Sequence, residues 1–248
     1  MHKTYLFDIL IITISFFAII VLPYFYFYKF KVNKFSNRII MDRFHSTRKR
    51  SILFTSISMF ILFGIYYLIL SLETTNFFTF REQSSLLRHV LTIVGILILN
   101  DAYFYWVHYA LHRVSFLKRF HRIHHEDITP TPLSAFNFHP VEAILNFSFY
   151  LFLVLLVPMT KIDLFIVYIY MLINNSLGHL PLEFCPRWFY KYKISSFLNA
   201  ATHHIMHHRN GSTNFSLYYL PWDKVMGTIS KKYYDRFNEV QDKIEGKV

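Results

Sequence analysis

The chain has 248 residues, of which 54% are hydrophobic and 17% charged, with a formal net charge of +11. This composition is too apolar for an ordinary soluble domain and indicates a membrane protein. The basic residues cluster beside apolar runs, a pattern typical of contacts with anionic lipid, so no nucleic-acid partner is predicted.

Two uncharged runs near the start of the chain predict membrane-spanning helices. Residues 9–28 and residues 52–72 each reach the roughly 20 apolar residues that a span needs. The first run lacks the cleavage site of a signal peptide and has a long apolar core, so it is interpreted as a retained helix. The segment between the runs, residues 29–50, is rich in Lys and Arg, and the positive-inside rule predicts that it is cytosolic.

Three later apolar segments predict further crossings. One begins at Val90 and continues through the sequence NDAYFYWVHYALHR, and the others cover residues 140–158 and 164–178. Alternating these crossings leaves His108 and all later histidines at or beyond cytosolic helix ends. The predicted fold is therefore all-α: a multi-pass membrane helical bundle of about four to five spans, with a cytosolic histidine-rich helical cap.

Within the third predicted span, Asp101, Tyr105, His108 and His112 follow one another at helical spacing and form a single stripe. A carboxylate in a membrane helix is costly unless it has a partner. Two interpretations of Asp101 stay open. It bonds a tyrosine or a neighbouring helix, or it holds a metal-ligating imidazole in one tautomer.

Eight histidines in this region occur in three helical registers. The sequence HYALH places two of them four residues apart, and HRIHH and HIMHH each place three at positions i, i+3 and i+4, which share one helix face. The eight are His108, His112, His121, His124, His125, His204, His207 and His208. Histidines on one helix face converge on a point, whereas the axial ligands of haem approach from opposite sides. Eight imidazoles are too many for one octahedral ion, so the pattern predicts a dinuclear metal site, and two redox ions beside a membrane point to iron and dioxygen.

Five stretches of the chain resemble the fatty acid hydroxylase/sterol desaturase superfamily. The sequences DAYFYWVHYALHR, FHRIHHE and THHIMHH are similar to its three histidine boxes, and PLSAFNFHPVE and NFSLYYLPWDKVMGT resemble two further family segments. The similarity covers roughly residues 85–228. It implies a catalytic domain of this family at residues 81–248, behind an N-terminal transmembrane hairpin at residues 1–80. Ser216 departs from the family pattern, which has Gly at that position.

The resemblance implies that the eight histidines are ligands of two non-haem iron ions, and that His179 is a ninth. Some members of the family have a histidine where this chain has Asn175, so the amide there is expected to bind weakly or through water. His203 offers a second register for the last box, and His204 is favoured because it repeats the spacing of the second box. His139 is expected either behind the ligands or as a packing residue at a helix start.

The activity that the resemblance implies is O2-dependent hydroxylation or desaturation of a C–H bond in a fatty acyl chain, a sterol or a related lipid taken from the bilayer. The chain carries no Cys-rich iron–sulfur motif and no Gly-rich dinucleotide fingerprint. A separate electron donor, cytochrome b5-like or a ferredoxin with its reductase, is therefore expected. The expected location is a bacterial inner membrane or the endoplasmic reticulum, with the metal site on the cytosolic side.

Two other functions stay open on the residues alone. A membrane zinc-dependent hydrolase would use a metal-bound water together with a carboxylate base, for which Glu126, directly after His125, is the candidate. A non-catalytic metal-binding membrane protein would need the histidines but no substrate path. Metal content distinguishes the three: two irons, zinc alone, or variable loading.

Overall fold

The structure is a computed structural model of the chain. It describes residues 2–27, 32–40, 49–192 and 195–247, without the side chains of residues 2–6, 32, 33 and 196. In these ranges the regular structure is helical, and β-structure is limited to two isolated bridges, Ile39–Leu182 and Leu198–Tyr219. The all-α prediction is confirmed for the described part of the chain.

Three helical segments have the length and hydropathy of membrane spans: Phe7–Phe25, Lys49–Thr74 and Leu86–Arg113. The first covers the part of α1 (His2–Phe16) from Phe7 onward, a π-helical turn (Phe17–Val21) and α2 (Leu22–Phe25). The second and third are α3 and α4. Large apolar side chains on these helices face outward, such as Phe60, which is 78% exposed. A surface of this kind is stable against lipid rather than water, so the chain is a membrane protein.

Helix α4 is longer than a bilayer core is thick. It begins at Leu86, four residues before the predicted start at Val90, because the Ser85 hydroxyl caps it by accepting the Arg88 N–H at 3.3 Å. Its 28 residues span about 42 Å, against about 30 Å for the hydrocarbon core. A helix of this length can cross the apolar layer and still extend beyond it, and its C-terminal turns carry His108 and His112.

The next two long helices are shorter than a full span. Helices α6 (Pro140–Leu156) and α7 (Lys161–Gly178) contain 17 and 18 residues, which corresponds to about 26–27 Å. Pro140 occupies the first turn of α6 as predicted, and α7 begins with a capping box between Thr160 and Asp163. Neither helix is among the three of span length and hydropathy, so the number of crossings stays a prediction.

The N-terminal helices pack against the later ones. Helix α3 lies on α6 and on a 3₁₀ turn (Leu133–Phe136). At the start of α3, the Ser51 hydroxyl donates to Asp127 at 2.7 Å and the Thr55 hydroxyl donates to the Leu133 carbonyl at 3.0 Å. These bonds tie α3 to the segment that follows the second histidine box. The predicted domain boundary at residue 80 stays a prediction.

Short helices form a cap over one end of the bundle. They are α5 (Ser115–His121), α8 (Ala201–Asn210), α9 (Pro221–Val225) and α10 (Tyr233–Ile244). At the start of α8, the Glu183 carboxylate accepts the Thr202 N–H at 3.1 Å and its hydroxyl at 2.6 Å. Gly211, with φ of 64°, ends α8 in a left-handed conformation that favours glycine. Both ends of the helix that carries the third histidine box are thereby fixed.

Candidate metal centre

All histidines predicted as ligands meet where the C-terminal end of α4 enters the cap. Their ring nitrogens form two groups, and within each group the nitrogens lie within 4.8 Å of one another. The five-histidine group comprises His108, His112, His121, His125 and His207, and the four-histidine group comprises His124, His179, His204 and His208. The structure brings together nine side chains that are spread over 101 positions of the sequence, from 108 to 208.

Four separate elements deliver these rings: α4, the segment from α5 onward, the C-terminal end of α7, and α8. The prediction that the second box lies on one helix face is wrong. Helix α5 ends at His121, and His124 and His125 lie in a separate 3₁₀ turn. His125 belongs to the five-histidine group and His124 to the other, and the third box divides its rings in the same way, with His207 in the first group and His204 and His208 in the second.

Distances in the five-histidine group cannot be explained by hydrogen bonds alone. The Nε2 atom of His125 lies 3.1 Å from the Nε2 atoms of three other imidazoles, those of His112, His121 and His207. A ring nitrogen carries either one proton or one lone pair, so it satisfies one such contact and not three. Metal–imidazole bonds of about 2.1 Å place neighbouring ligand nitrogens about 3 Å apart. The donor set therefore fits a cation.

The four-histidine group is buried throughout and leaves nitrogens without partners. The Nε2 atom of His179 lies 3.1 Å from that of His204 and 3.3 Å from that of His124. Among the described residues, the Nδ1 atoms of His124 and His204 and both ring nitrogens of His208 have no hydrogen-bond partner. Burying an unpartnered polar atom costs free energy, and a bound metal would remove that cost.

Four of the nine rings are also held from behind by contacts shorter than 3 Å. The Nδ1 atoms of His108 and His207 donate to the carbonyls of Phe215 and Thr213, at 2.6 Å and 2.7 Å. The Nδ1 atom of His121 lies 2.7 Å from the Glu142 carboxylate, and that of His179 lies 2.9 Å from the Asn175 carbonyl. With the proton on Nδ1, the Nε2 lone pair of each ring points into the cluster, as metal binding requires.

The environment keeps these imidazoles neutral. Burial lowers the pKa of His124, His204 and His208 well below the usual range, and neighbouring imidazoles lower it further. Burial also lowers the pKa of His125 to about 4. A metal competes with protons for imidazole, so rings that are neutral at pH 7 are ready to bind.

Two residues expected behind the ligands have other contacts. The Asp101 carboxylate accepts the Tyr219 N–H at 3.2 Å. This hydrogen bond joins Asp101 to the segment after α8 and not to an imidazole of the cluster. The Nδ1 atom of His139 accepts the Val141 N–H at 3.1 Å, and its ring packs on Phe120. His139 is therefore the cap of α6, the packing role that was one of its two interpretations.

The remaining two expected residues lie next to the cluster. His203 is fully buried and turns away from it, with Nε2 3.2 Å from the Asp223 carboxylate, whereas His204 joins the four-histidine group. The Asn175 amide donates to the Met171 carbonyl at 2.8 Å, and the side chain lines a small cavity that also borders His179. Glu126, the candidate base of the hydrolase interpretation, pairs with Arg50 at 2.8 Å.

Sequence reasoning missed the groups that orient the imidazoles. Glu142 could have been predicted to have a polar partner, because it is a carboxylate in the first turn of an apolar helix. It also belongs to a segment that resembles the family. The backbone carbonyls of Thr213 and Phe215 could not have been singled out from the sequence, because every residue has a backbone carbonyl.

Two spaces border the cluster. A cleft of about 780 Å³ borders the cluster at His112, His121 and His125, of which His112 and His125 are half-buried and His121 is buried. Its rim carries five exposed cationic residues: Arg113, Lys118, Arg119, Arg122 and Arg209. A second space, a cavity of about 10 Å³, lies among the helices, where Phe104, Leu111 and Phe138 line it together with polar side chains such as Asn146. The cluster thus has a basic, open side and a small, enclosed side on which aromatic and aliphatic side chains mix with polar ones.

Comparisons with known proteins identify relatives over the histidine-bearing part of the chain. The family model described as fatty acid hydroxylase matches residues 93–228. Human lathosterol oxidase is 29% identical over 140 residues, which cover 56% of this chain and 45% of that protein. A Delta(7)-sterol 5(6)-desaturase of Gibberella zeae is 30% identical over 132 residues, 53% of this chain and 39% of that protein.

One further relative has a name that indicates a different reaction. A very-long-chain aldehyde decarbonylase of Arabidopsis thaliana is 31% identical over 135 residues, 52% of this chain and 21% of that protein. The chain spans less than half the length of each of these three relatives. No solved structure gives a significant match.

Proposed function

Because the chain belongs to the fatty acid hydroxylase family, we propose that it is a membrane-bound oxidoreductase that uses O2 and external electrons to hydroxylate or desaturate a lipid C–H bond. The proposed substrate is a fatty acyl chain, a sterol or a related lipid that enters from the bilayer. The observation that carries the proposal is the convergence of buried imidazole nitrogens into two adjacent groups. The similarity to lathosterol oxidase and to a sterol desaturase, which are named for sterol substrates, supports a lipid substrate.

The nine histidines are proposed to hold two non-haem iron ions, one in each group. Nitrogen donors without thiolates suit iron, and five donors in one group exceed the four of a closed structural zinc site. Asn175 lies beside the four-histidine group, where its amide oxygen is proposed as a weak or water-mediated contact. When bound, the two ions supply the redox capacity to reduce O2 and to oxidise an unactivated C–H bond.

The protein's own side chains position the reacting groups and exclude water. Glu142 and the backbone carbonyls keep the rings in the metal-binding tautomer. Phe104 and Phe138 present apolar surface to an aliphatic segment on the enclosed side of the cluster. A cavity of about 10 Å³ is smaller than a methylene-rich chain, so α4, α6 and α7 separate slightly when the lipid enters.

The basic cleft is proposed as the side from which electrons arrive. Its rim presents five cationic residues beside the half-buried His112 and His125, which suits an acidic partner. The donor is proposed to be a separate protein, cytochrome b5-like or a ferredoxin with its reductase. In this proposal the cleft and the metal site lie on the cytosolic side of a multi-pass protein of four to five spans, in a bacterial inner membrane or the endoplasmic reticulum. The hairpin of residues 1–80 anchors a catalytic domain of residues 81–248.

The test combines metal content with product analysis. The protein, purified in mild detergent and reconstituted anaerobically with Fe(II), is expected to hold two irons per chain. With a reduced donor, O2 and candidate lipids in vesicles, it should yield a product that has gained one oxygen atom or lost two hydrogen atoms by mass spectrometry. His125→Ala should abolish both results, because His125 contacts three other imidazoles.

The matched control is His89→Ala. His89 pairs with Asp163 at the opposite end of the bundle and should leave iron content and product unchanged. Zinc as the sole bound metal, with O2-independent hydrolysis of the lipid, would favour the hydrolase. Variable metal loading without product would favour the non-catalytic metal-binding protein.

A further inference from the structure

The carboxylate of Asp223 is fully buried at the start of α9 and organises the segment after α8. Its Oδ1 atom accepts the Phe215 N–H at 2.9 Å and the Thr228 hydroxyl at 2.6 Å, and its Oδ2 atom accepts the Ser216 N–H at 2.8 Å. The His203 ring lies 3.2 Å from the same carboxylate. Burial alone would raise the pKa of Asp223, but the nearby His203 ring and these hydrogen bonds hold it below its usual range, so the group is an anion at pH 7.

The segment that Asp223 holds is the one that orients two predicted ligands. The Phe215 N–H donates to Asp223, and the Phe215 carbonyl accepts from His108 Nδ1 at 2.6 Å. Two residues earlier, the Thr213 carbonyl accepts from His207 Nδ1 at 2.7 Å. The Phe215 ring packs against both imidazoles, with centroid distances of 6.0 Å to His108 and 5.5 Å to His207.

A second set of bonds keeps this segment from moving independently. Asn214 has a φ of 62°, and its amide donates to the His203 carbonyl at 3.0 Å. The Asn214 N–H donates to the Thr228 carbonyl at 2.8 Å. Thr228 also contacts the Tyr105 hydroxyl at 3.0 Å, which ties the segment to α4. The carbonyls that face the imidazoles are therefore fixed relative to the helices that carry those imidazoles.

We propose that Asp223 is a positioning residue that holds the imidazoles of His108 and His207 in their metal-binding orientation through the backbone of residues 213–216. The proposal rests on the proposed function, because it requires these two histidines to bind metal. Asp223 touches neither metal nor substrate in this role. Its most direct route is the peptide unit between Phe215 and Ser216, whose carbonyl accepts from His108 and whose N–H donates to Asp223, while His207 is reached through the Thr213 carbonyl two residues earlier.

The test measures Fe(II) binding rather than turnover. The native protein and Asp223→Asn are titrated anaerobically with ⁵⁷Fe(II) against a coloured chelator, and the loaded samples are compared by Mössbauer spectroscopy. Asp223→Asn is expected to keep the native helix content, to bind one of its two Fe(II) ions about 10–100-fold more weakly, and to shift one of the two iron signals. Unchanged affinity and unchanged signals would overturn the proposal.

The matched control is Asp163→Asn. Asp163 is another buried carboxylate that accepts a backbone N–H and a threonine hydroxyl, both of Thr160, and contacts a histidine, His89, but it lies far from the cluster. This variant should lose thermal stability and bind both Fe(II) ions as the native protein does. If the two variants have the same Fe(II) affinities, Asp223 is only structural and the proposal fails.

A second pair keeps the proposal testable if Asp223→Asn does not fold. Thr228→Val removes the hydroxyl that donates to Asp223, and Thr228→Ser retains it. The valine variant should weaken the same Fe(II) ion several-fold and the serine variant should restore it, while equal binding by both would contradict the proposal. A native protein that binds no Fe(II) would overturn the proposed function and this inference together; one that binds two but makes no product would overturn only the former.

Discussion

The Nδ1 atom of His121 lies 2.7 Å from the Oε1 atom of Glu142, and the two side chains are only 4% and 1% exposed. This is the arrangement in which a carboxylate behind a ligating imidazole fixes its tautomer and raises its basicity. The partners come from different elements, α5 and the first turn of α6, so the bond also joins the cap to the bundle.

The His121–Glu142 pair predicts a graded loss of metal. Glu142→Gln replaces the carboxyl group with an amide that keeps an acceptor, and should weaken Fe(II) binding about tenfold, while Glu142→Leu removes the acceptor and should weaken it about 100-fold. Anaerobic chelator competition measures both. Glu73→Gln, which alters an ion pair with Lys161 at the other end of the bundle, should bind Fe(II) normally. Equal binding by both Glu142 variants and the native protein would show that this carboxylate does not support the metal site.

The last histidine box predicts opposite results for two adjacent residues. His204→Ala should lower the iron content, because its ring lies in the four-histidine group. His203→Ala should retain iron and lose thermal stability, since His203 contacts Asp223 and packs on Tyr233. Iron per chain and melting temperature, measured on both purified variants, check this. The reverse result would assign the ligand to His203.

The contact of Asp101 predicts a structural role. Asp101→Ala removes the acceptor of the Tyr219 N–H and should destabilise the protein by about 1–3 kcal/mol. Iron per folded chain should remain at the native value. Thermal unfolding combined with iron analysis separates the two effects. A folded variant of native melting temperature that holds less iron would instead place Asp101 behind the metal ligands.

The lowered histidine pKa values predict that the metal-free protein loses stability in mild acid. The pKa of His125 falls from 6.5 to about 4 on folding. Between these values the unfolded chain binds protons that the folded chain does not, so the free energy of unfolding decreases as pH falls from about 6.5 to about 4. Melting temperatures of the metal-free protein at pH 7.5, 6 and 5 should decrease in that order. A constant or rising series would contradict the assignment of neutral buried rings.

The membrane class and the gathering of the histidines could be predicted because both depend on local patterns. Apolar runs of span length reveal helices directly, and a spacing of four residues places His108 and His112 on one face wherever α4 continues. The same argument failed for the second box, since α5 ends at His121 and spacing has this meaning only inside a helix. Partners such as Glu142 and the Phe215 carbonyl arise from tertiary packing, which spacing along one chain does not encode.

The length of α4 has a consequence for regiochemistry. If the hydrocarbon core begins just after Arg88, about 20 helical residues bring its far boundary close to His108. The candidate metal centre then lies at the depth of the lipid headgroups rather than at the bilayer midplane. A lipid that keeps its polar head at the interface presents only carbons near that head to the enclosed side of the cluster. If the protein oxidises a lipid as proposed, the reaction should therefore occur close to the polar end of that lipid, and carbons near the methyl terminus of a long chain stay out of reach.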